Sequence, residues 1–202
     1  MLQLVKKDFL IHKNILLGML AAMIVYMISD VSPIFLGLLF AFTMTMHIFS
    51  SDEKRTAQVL LSSLPLTRKE IVSSKYIAAF LYIAIIMGIL IAGSFIIQQE
   101  QPNWTHLGLV AMASLIIVAF IYPFSYKFAS KYLLITFVIG FALYMLAINL
   151  LITDLNQLVY DFLLKLRFLM EARVMIFTFI TVFILYCVSW LLSIKIYEKK
   201  VF

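Results

Sequence analysis

Three histidines, one cysteine and ten carboxylates are the side chains in this 202-residue sequence most able to do chemistry. Their spacing builds none of the usual constellations. His12, His47 and His106 are scattered, and neither an HExxH motif nor a Cys/His cluster occurs, so a metal site has no support. Cys187 lies in a long uncharged apolar stretch. A thiol there is inert, because reactive thiols need an electropositive, wet setting. No GxxxxGK[ST] loop is present, which excludes ATP hydrolysis of that type within this chain. With no nucleophile beside a base, the sequence holds no catalytic, cofactor-binding or metal site.

The elements that would carry any function are apolar. The chain is 64% hydrophobic and 13% charged, against about 45–50% and about 25% in soluble domains. Mean hydropathy is +1.07. One small core cannot bury that much apolar surface, so the sequence predicts an all-α integral membrane protein. Disorder, collagen and secreted disulfide scaffolds are excluded.

A helix needs about 20 apolar residues to cross the hydrocarbon layer. Tyr76–Ile97, Leu107–Tyr126, Tyr132–Ile152 and Val174–Ile194 qualify and carry no charge. Asn14–Ser29 and Ile34–Phe49 are shorter and are separated by the turn sequence Asp30-Val31-Ser32-Pro33. We read these as two further spans, six in all, with a re-entrant hairpin plus four spans as the alternative. A cleaved signal peptide is disfavoured, since Met27-Ile28-Ser29-Asp30 is no small-x-small site.

Thirteen of the sixteen basic residues fall on the side of the membrane that holds both termini, giving that side +8. The other side keeps Lys165, Arg167 and Arg173 against five acids, or −2. The positive-inside rule therefore predicts a multi-pass plasma-membrane protein with cytoplasmic termini. The overall +6 becomes an orientation signal and not a nucleic-acid footprint. The sequence predicts one domain, 1–202. It comprises an interfacial helix (1–13), spans one and two (14–49), a cytoplasmic loop (50–75), spans three to five (76–152), an outer segment (153–173), and span six with a tail (174–202).

No carboxylate lies inside a span, which argues against proton- or cation-coupled transport. His47 sits near the inner end of its span, an interfacial position. Thr43, Thr45, Ser94, Ser114, Thr136, Asn149 and Ser189, with several tyrosines, are among the polar residues within spans. They fit helix–helix hydrogen bonding, with a substrate-path lining as the other reading. Pro123 kinks its span near the inner end. Asn103-Trp104-Thr105 matches a glycosylation sequon, a weak signal at that length.

The most informative segment is Ser50–Lys75. Ser50 and Glu53 have capping-box spacing, with Asp52 and Glu53 in the first turn. Ala57, Leu60, Leu61 and Leu64 then form one apolar stripe, while Lys54, Arg55, Gln58 and Ser62 occupy the other face. Pro65 ends that helix. A second capping box follows at Thr67-Arg68-Lys69-Glu70, with Leu66 and Ile71 placed as a hydrophobic staple. The helix it starts meets no breaker before Gly88 and should run straight into span three. A short amphipathic helix, a Pro turn and a rigid membrane helix are thus specified in series. Resting on anionic lipid at the inner leaflet is one use for the short helix.

The run Leu64-Pro65-Leu66-Thr67-Arg68-Lys69-Glu70-Ile71-Val72, with Ser74-Lys75-Tyr76 and a long span behind it, resembles the inner loop of small bacterial ABC-2-type permeases. The lead-in Lys6-Lys7-Asp8-Phe9-Leu10 is also similar, and the likeness is strongest to exporters of phenol-soluble modulins and bacteriocins. The resemblance implies ATP and Mg on a separate ATPase subunit. That subunit's groove would receive a coupling helix made by Ser51, Asp52, Glu53, Lys54, Arg55, Gln58, Leu61 and Leu64. Pro65, Thr67, Arg68, Lys69 and Glu70 would form the elbow behind it.

In the outer segment, Leu155, Val159, Phe162, Leu166 and Leu169 recur at helical spacing, an amphipathic helix on the outer leaflet. The resemblance adds re-entrant helices between spans five and six, making Phe162, Leu166, Phe168 and Leu169 an outer gate. Leu2, Val5, Phe9 and Leu10 share one face of an interfacial N-terminal helix. Together these features lead us to expect a six-helix ABC-2-type permease that pairs with a second permease, as a homo- or heterodimer, and with ATPase subunits. The expected cargo is an amphipathic or hydrophobic peptide. Ions, drugs or lipids as cargo, or a non-transport assembly or sensor subunit, are the competing expectations.

Overall fold

In the computed structural model, the described residues are 2–28, 33–52, 67–97, 99, 101–128 and 172–199, with 132, 135, 136, 138, 139, 142 and 143. Apart from the helical residues between 132 and 143, they form five helices: α1 (Leu2–Ile28), α2 (Pro33–Asp52), α3 (Arg68–Ile96), α4 (Trp104–Lys127) and α5 (Ala172–Glu198). No strand occurs among the described residues.

Local sequence explains where these helices start. Pro33 is the first residue of α2, where its fixed φ suits the opening turn and its missing N–H costs nothing. Thr67 caps α3 through a complete capping box. Asn103 caps α4, its Oδ1 accepting from the N–H groups of Thr105 and His106 at 3.2 and 3.3 Å. That cap accounts for an Asn which the sequence alone offers as part of a sequon. Pro123 is tolerated inside α4, which continues to Lys127, a cation that suits the helix C-terminus.

Arg68–Ile96, Trp104–Lys127 and Val174–Glu198 are long and apolar enough to cross a membrane, and they contain three of the spans read from sequence. Lys13–Ile28 and Phe35–Ile48 are apolar but shorter, again as read. The proposed fifth span, most of 132–152, and the outer segment 153–171 lie outside the described residues. Much of α5 presents bare apolar side chains, including Ile176, Phe177, Phe183, Val188 and Leu191. Water does not tolerate a contiguous apolar face of that size; lipid does.

Two boundaries differ from the sequence reading. The N-terminal segment is continuous with the first apolar stretch, because α1 is one helix from Leu2 to Ile28, about 40 Å long at 1.5 Å per residue. Nothing at Lys13-Asn14 stops it. Likewise Ser50 is no N-cap, since α2 continues through Ser51 and Asp52. The preceding Met46–Phe49 contains neither Gly nor Pro, and serine inside a helix costs only tenths of a kcal/mol. A capping signal operates only where the chain before it has left the helix.

Packing divides the core. Residues of α3, α4 and α5, with Met46 of α2, share one cluster that includes Tyr76, Tyr122 and Tyr186. In a second, Met23, Met27, Leu36, Phe40, Leu90 and Val110 join α1 and α2 to α3 and α4. A third, smaller cluster sets Met44 and Ile48 of α2 against Ala78 and Tyr82 of α3.

Candidate functional site: the elbow and the inner clamp

The elbow is built as its sequence specifies. Thr67 has extended backbone, and its N–H and Oγ1–H both donate to Glu70 Oε2 at 2.9 Å. The Glu70 N–H returns a 3.3 Å bond to Thr67 Oγ1. These bonds to the Thr67 N–H, and then to its hydroxyl, hold the Glu70 carboxyl below the usual carboxylate range. The group lies in the turn ahead of the apolar stretch. Because its folded pKa is the lower one, this stabilisation is complete above the ordinary carboxylate value. It is lost as pH falls through the lowered value. Thr67→Ala should cost about 1 kcal/mol. In acid titrations followed by hydrogen exchange, fraying of the first turn of α3 should set in at a lower pH in the parent than in Thr67→Ala.

Arg68 occupies the first turn of α3, where a cation has the wrong sign for that helix's own dipole. Its partner lies on another helix. Arg68 Nη1 donates to the carbonyls of Tyr197 and Glu198 at 3.1 and 2.9 Å. These are among the last carbonyls of α5, which have no acceptor role left within the helix. Lys69 Nζ lies 3.9 Å from Glu198 Oε1, an exposed pair of little energetic weight. The elbow is therefore fastened to the end of α5.

About two turns further along α3, Tyr76 is fully buried and bonded to α5. Its hydroxyl lies 2.8 Å from Ser189 Oγ and 2.7 Å from Ser193 Oγ. Ser189 Oγ–H donates to the Ala119 carbonyl of α4 at 2.6 Å. A serine has one hydroxyl proton, so the direction of the chain is fixed. Ser193 donates to Tyr76, Tyr76 donates to Ser189, and Ser189 donates to α4. The Tyr186 hydroxyl donates to the Tyr76 carbonyl at 2.7 Å, and Trp190 Nε1–H to Ser73 Oγ at 3.0 Å. The Trp190 ring stacks on Tyr76 at 5.7 Å, and Tyr122 and Tyr186 meet its edges at 4.9 and 5.2 Å. Three helices thus converge on one tyrosine.

The structure brings together part of the sequence-derived site. Thr67, Arg68, Lys69 and Glu70 form the elbow, and Ser51 and Asp52 extend α2. Glu53, Lys54, Arg55, Gln58, Leu61, Leu64 and Pro65 lie outside the described residues, as do Phe162, Leu166, Phe168 and Leu169. Lys75, counted from sequence among the loop cations, is buried within α3.

Of the polar residues within spans, Thr43, Thr45, Ser94 and Thr136 bond the carbonyl four residues back in their own helix. They do not bridge helices, contrary to the simpler sequence reading; a hydroxyl in lipid finds its nearest acceptor on its own turn. Ser189, by contrast, bonds both Tyr76 of α3 and the Ala119 carbonyl of α4. Sequence reasoning used Tyr76 only within the Ser74-Lys75-Tyr76 run and passed over Ser73, Ser193 and Trp190. The available signal was two serines four residues apart on one face of an otherwise apolar helix.

No group of His, Cys, Asp or Glu among the described residues could hold a metal ion. The described arrangement is a capped first turn on α3 tied to the end of α5, with Tyr76 further along α3 linked through Ser189 to α4. No curated protein and no solved structure matches the chain. A family model described as ABC-2 family transporter protein matches residues 3–198, nearly the whole sequence. Such proteins are the membrane component of an ABC transporter, not themselves enzymes, and imply an ABC ATPase as partner. The chain belongs to the ABC-2 family of transporter proteins, as a membrane permease.

Proposed function

We propose that this chain is the permease subunit of an ATP-driven bacterial exporter, set in the plasma membrane with both termini cytoplasmic. ATP is hydrolysed on separate subunits that engage the segment from Ser51 to Leu64. The observation that carries this reading is the fastening of the Thr67–Glu70 elbow to the end of α5 by Arg68. A lipid-resting loop has no need of a capped elbow fastened to a distant helix; a lever does. An amphipathic or hydrophobic peptide suits the apolar, aromatic character of the chain as cargo, with a second permease completing the pathway.

Leu61→Asp tests the docking segment. It should reduce permease-stimulated ATP hydrolysis while membrane insertion stays intact, and unchanged turnover would remove the segment from the coupling role. Truncating Phe162 and Phe168 to Ala should change transport or basal leak of a labelled amphipathic peptide without loss of ATPase association. Parent-like export by that variant would eliminate the outer gate.

A further inference from the structure

Helix α5 is the least covered of the three long apolar helices. Among the described residues, 17% of its apolar window is buried, against 39% in α3 and 50% in α4. Phe177, Ile180, Ile184, Val188 and Leu191 are each more than half exposed, and their spacing sets them in one stripe along the helix. The next position on that stripe is Lys195, followed one turn on by Lys199, and both are exposed. Val174–Ile194 holds no charge. It makes about 30 Å of helix, so Lys195 stands where the hydrocarbon layer ends. Among the described residues neither lysine is in an ion pair. Glu198 follows Lys195 by three positions, and its carboxylate lies 3.9 Å from Lys69 of α3. Arg68 is committed to the Tyr197 and Glu198 carbonyls. Lys69, Lys195 and Lys199 are thus three exposed cations beside one carboxylate, at the end of a bare apolar stripe.

We propose that the start of α3 and the end of α5 bind an anionic phospholipid, its phosphate held by Lys69, Lys195 and Lys199 and its acyl chains lying along the α5 stripe. A soluble acidic protein would satisfy the lysines and leave the stripe bare. A second copy packed α5 to α5 in the same membrane orientation would cover the stripe but set Lys195 and Lys199 against like charges. A phospholipid of net negative charge meets both halves of the surface, and each lysine at the membrane surface raises its affinity about fivefold. A zwitterionic lipid covers the stripe without that gain. Because Lys69 belongs to α3 and the other two cations to α5, the headgroup bridges the same junction that Arg68 ties. The inference goes beyond the exporter reading and requires only that α5 crosses the bilayer.

Native mass spectrometry of the full chain tests it without an ATPase, using micelles that hold equal amounts of dioleoyl phosphatidylglycerol and dioleoyl phosphatidylcholine. The parent should retain phosphatidylglycerol at least about fivefold over phosphatidylcholine. Lys195→Gln combined with Lys199→Gln should bring that ratio close to parity. Lys13→Gln combined with Lys127→Gln removes as much charge from exposed positions elsewhere and should leave the ratio near the parent value. Glycerol phosphate, which has the phosphate but no acyl chains, should fail to displace the lipid even in large excess. Phosphatidylglycerol should also slow hydrogen exchange in the first turn of α3 in the parent and not in the Lys195/Lys199 variant. Unfolding midpoints in detergent alone should be the same for all three proteins. Equal retention of the two lipids by the parent, equal losses in both double variants, or displacement by glycerol phosphate overturns the inference. Failure of an ATPase to co-purify would count against the exporter reading alone.

Discussion

Charge reversal at Arg68 should lower permease-stimulated ATP hydrolysis about tenfold, equivalent to about 1.4 kcal/mol, while the protein still inserts and folds. In the parent, the guanidinium donates to two carbonyls at the end of α5. Charge-assisted bonds of this type contribute about 1.5–3 kcal/mol when shielded, and the exposed setting reduces that towards about 1 kcal/mol. Arg68→Glu removes the bonds and sets a carboxylate against the negative end of α5 and the neighbouring Glu198. The same carboxylate suits the first turn of α3. Helix α3 itself therefore survives, and what is lost is its connection to α5. Arg68→Lys keeps the charge but loses the fixed fork, so it should fall between the two. The measurement is ATP turnover by the reconstituted complex, with thermal unfolding as the control. Parent-like turnover in Arg68→Glu would show that the α5 connection carries no force.

Gly37→Ala should destabilise the bundle by about 1–3 kcal/mol, the usual cost of overpacking. The added Cβ would collide with Val110 Cγ1 and press on Leu90 at 3.2 Å. A valine in a helix has one strongly preferred rotamer and cannot turn aside, so α2 and α4 must separate. Gly93→Ala is a fitting comparison, because its added Cβ meets the thioether end of Met27. That end can move, so the cost should be small. At Gly88 nothing lies within 4 Å, and Ala there should stabilise by up to about 1 kcal/mol through helix propensity. Unfolding midpoints in one detergent should rank Gly88→Ala highest and Gly37→Ala lowest. Equal midpoints for those two would contradict the close approach of α2 and α4.

The parts of this protein legible in its sequence are those set by local rules. Thr67 and Glu70 announce a capping box, and uncharged runs of about twenty residues announce spans. Tyr76 was legible as the end of the Ser74-Lys75-Tyr76 run, but not as the point where three helices meet. Its partners lie on α5, with Ser189 113 positions away, and no local pattern states that two distant helices meet at a given register. For the same reason the four hydroxyls that bond their own helix look identical in sequence to Ser189, which crosses to α3 and α4. At Ser50 the local rule was present and was overridden by a helix already under way. Arg68 shows the opposite case. Its sign is wrong for its own helix, and that mismatch is a clue, available from sequence, to a partner elsewhere.

The central claim is that an ATPase on another chain drives this permease through the elbow. The most direct measurement is ATP turnover by the ATPase that co-purifies with the tagged, nanodisc-embedded chain, with the parent compared with Arg68→Glu. The account predicts that an ATPase co-purifies with both, and that only the parent stimulates its turnover fully. If no ATPase is recovered with the parent, or if turnover is the same with either permease, the account is contradicted.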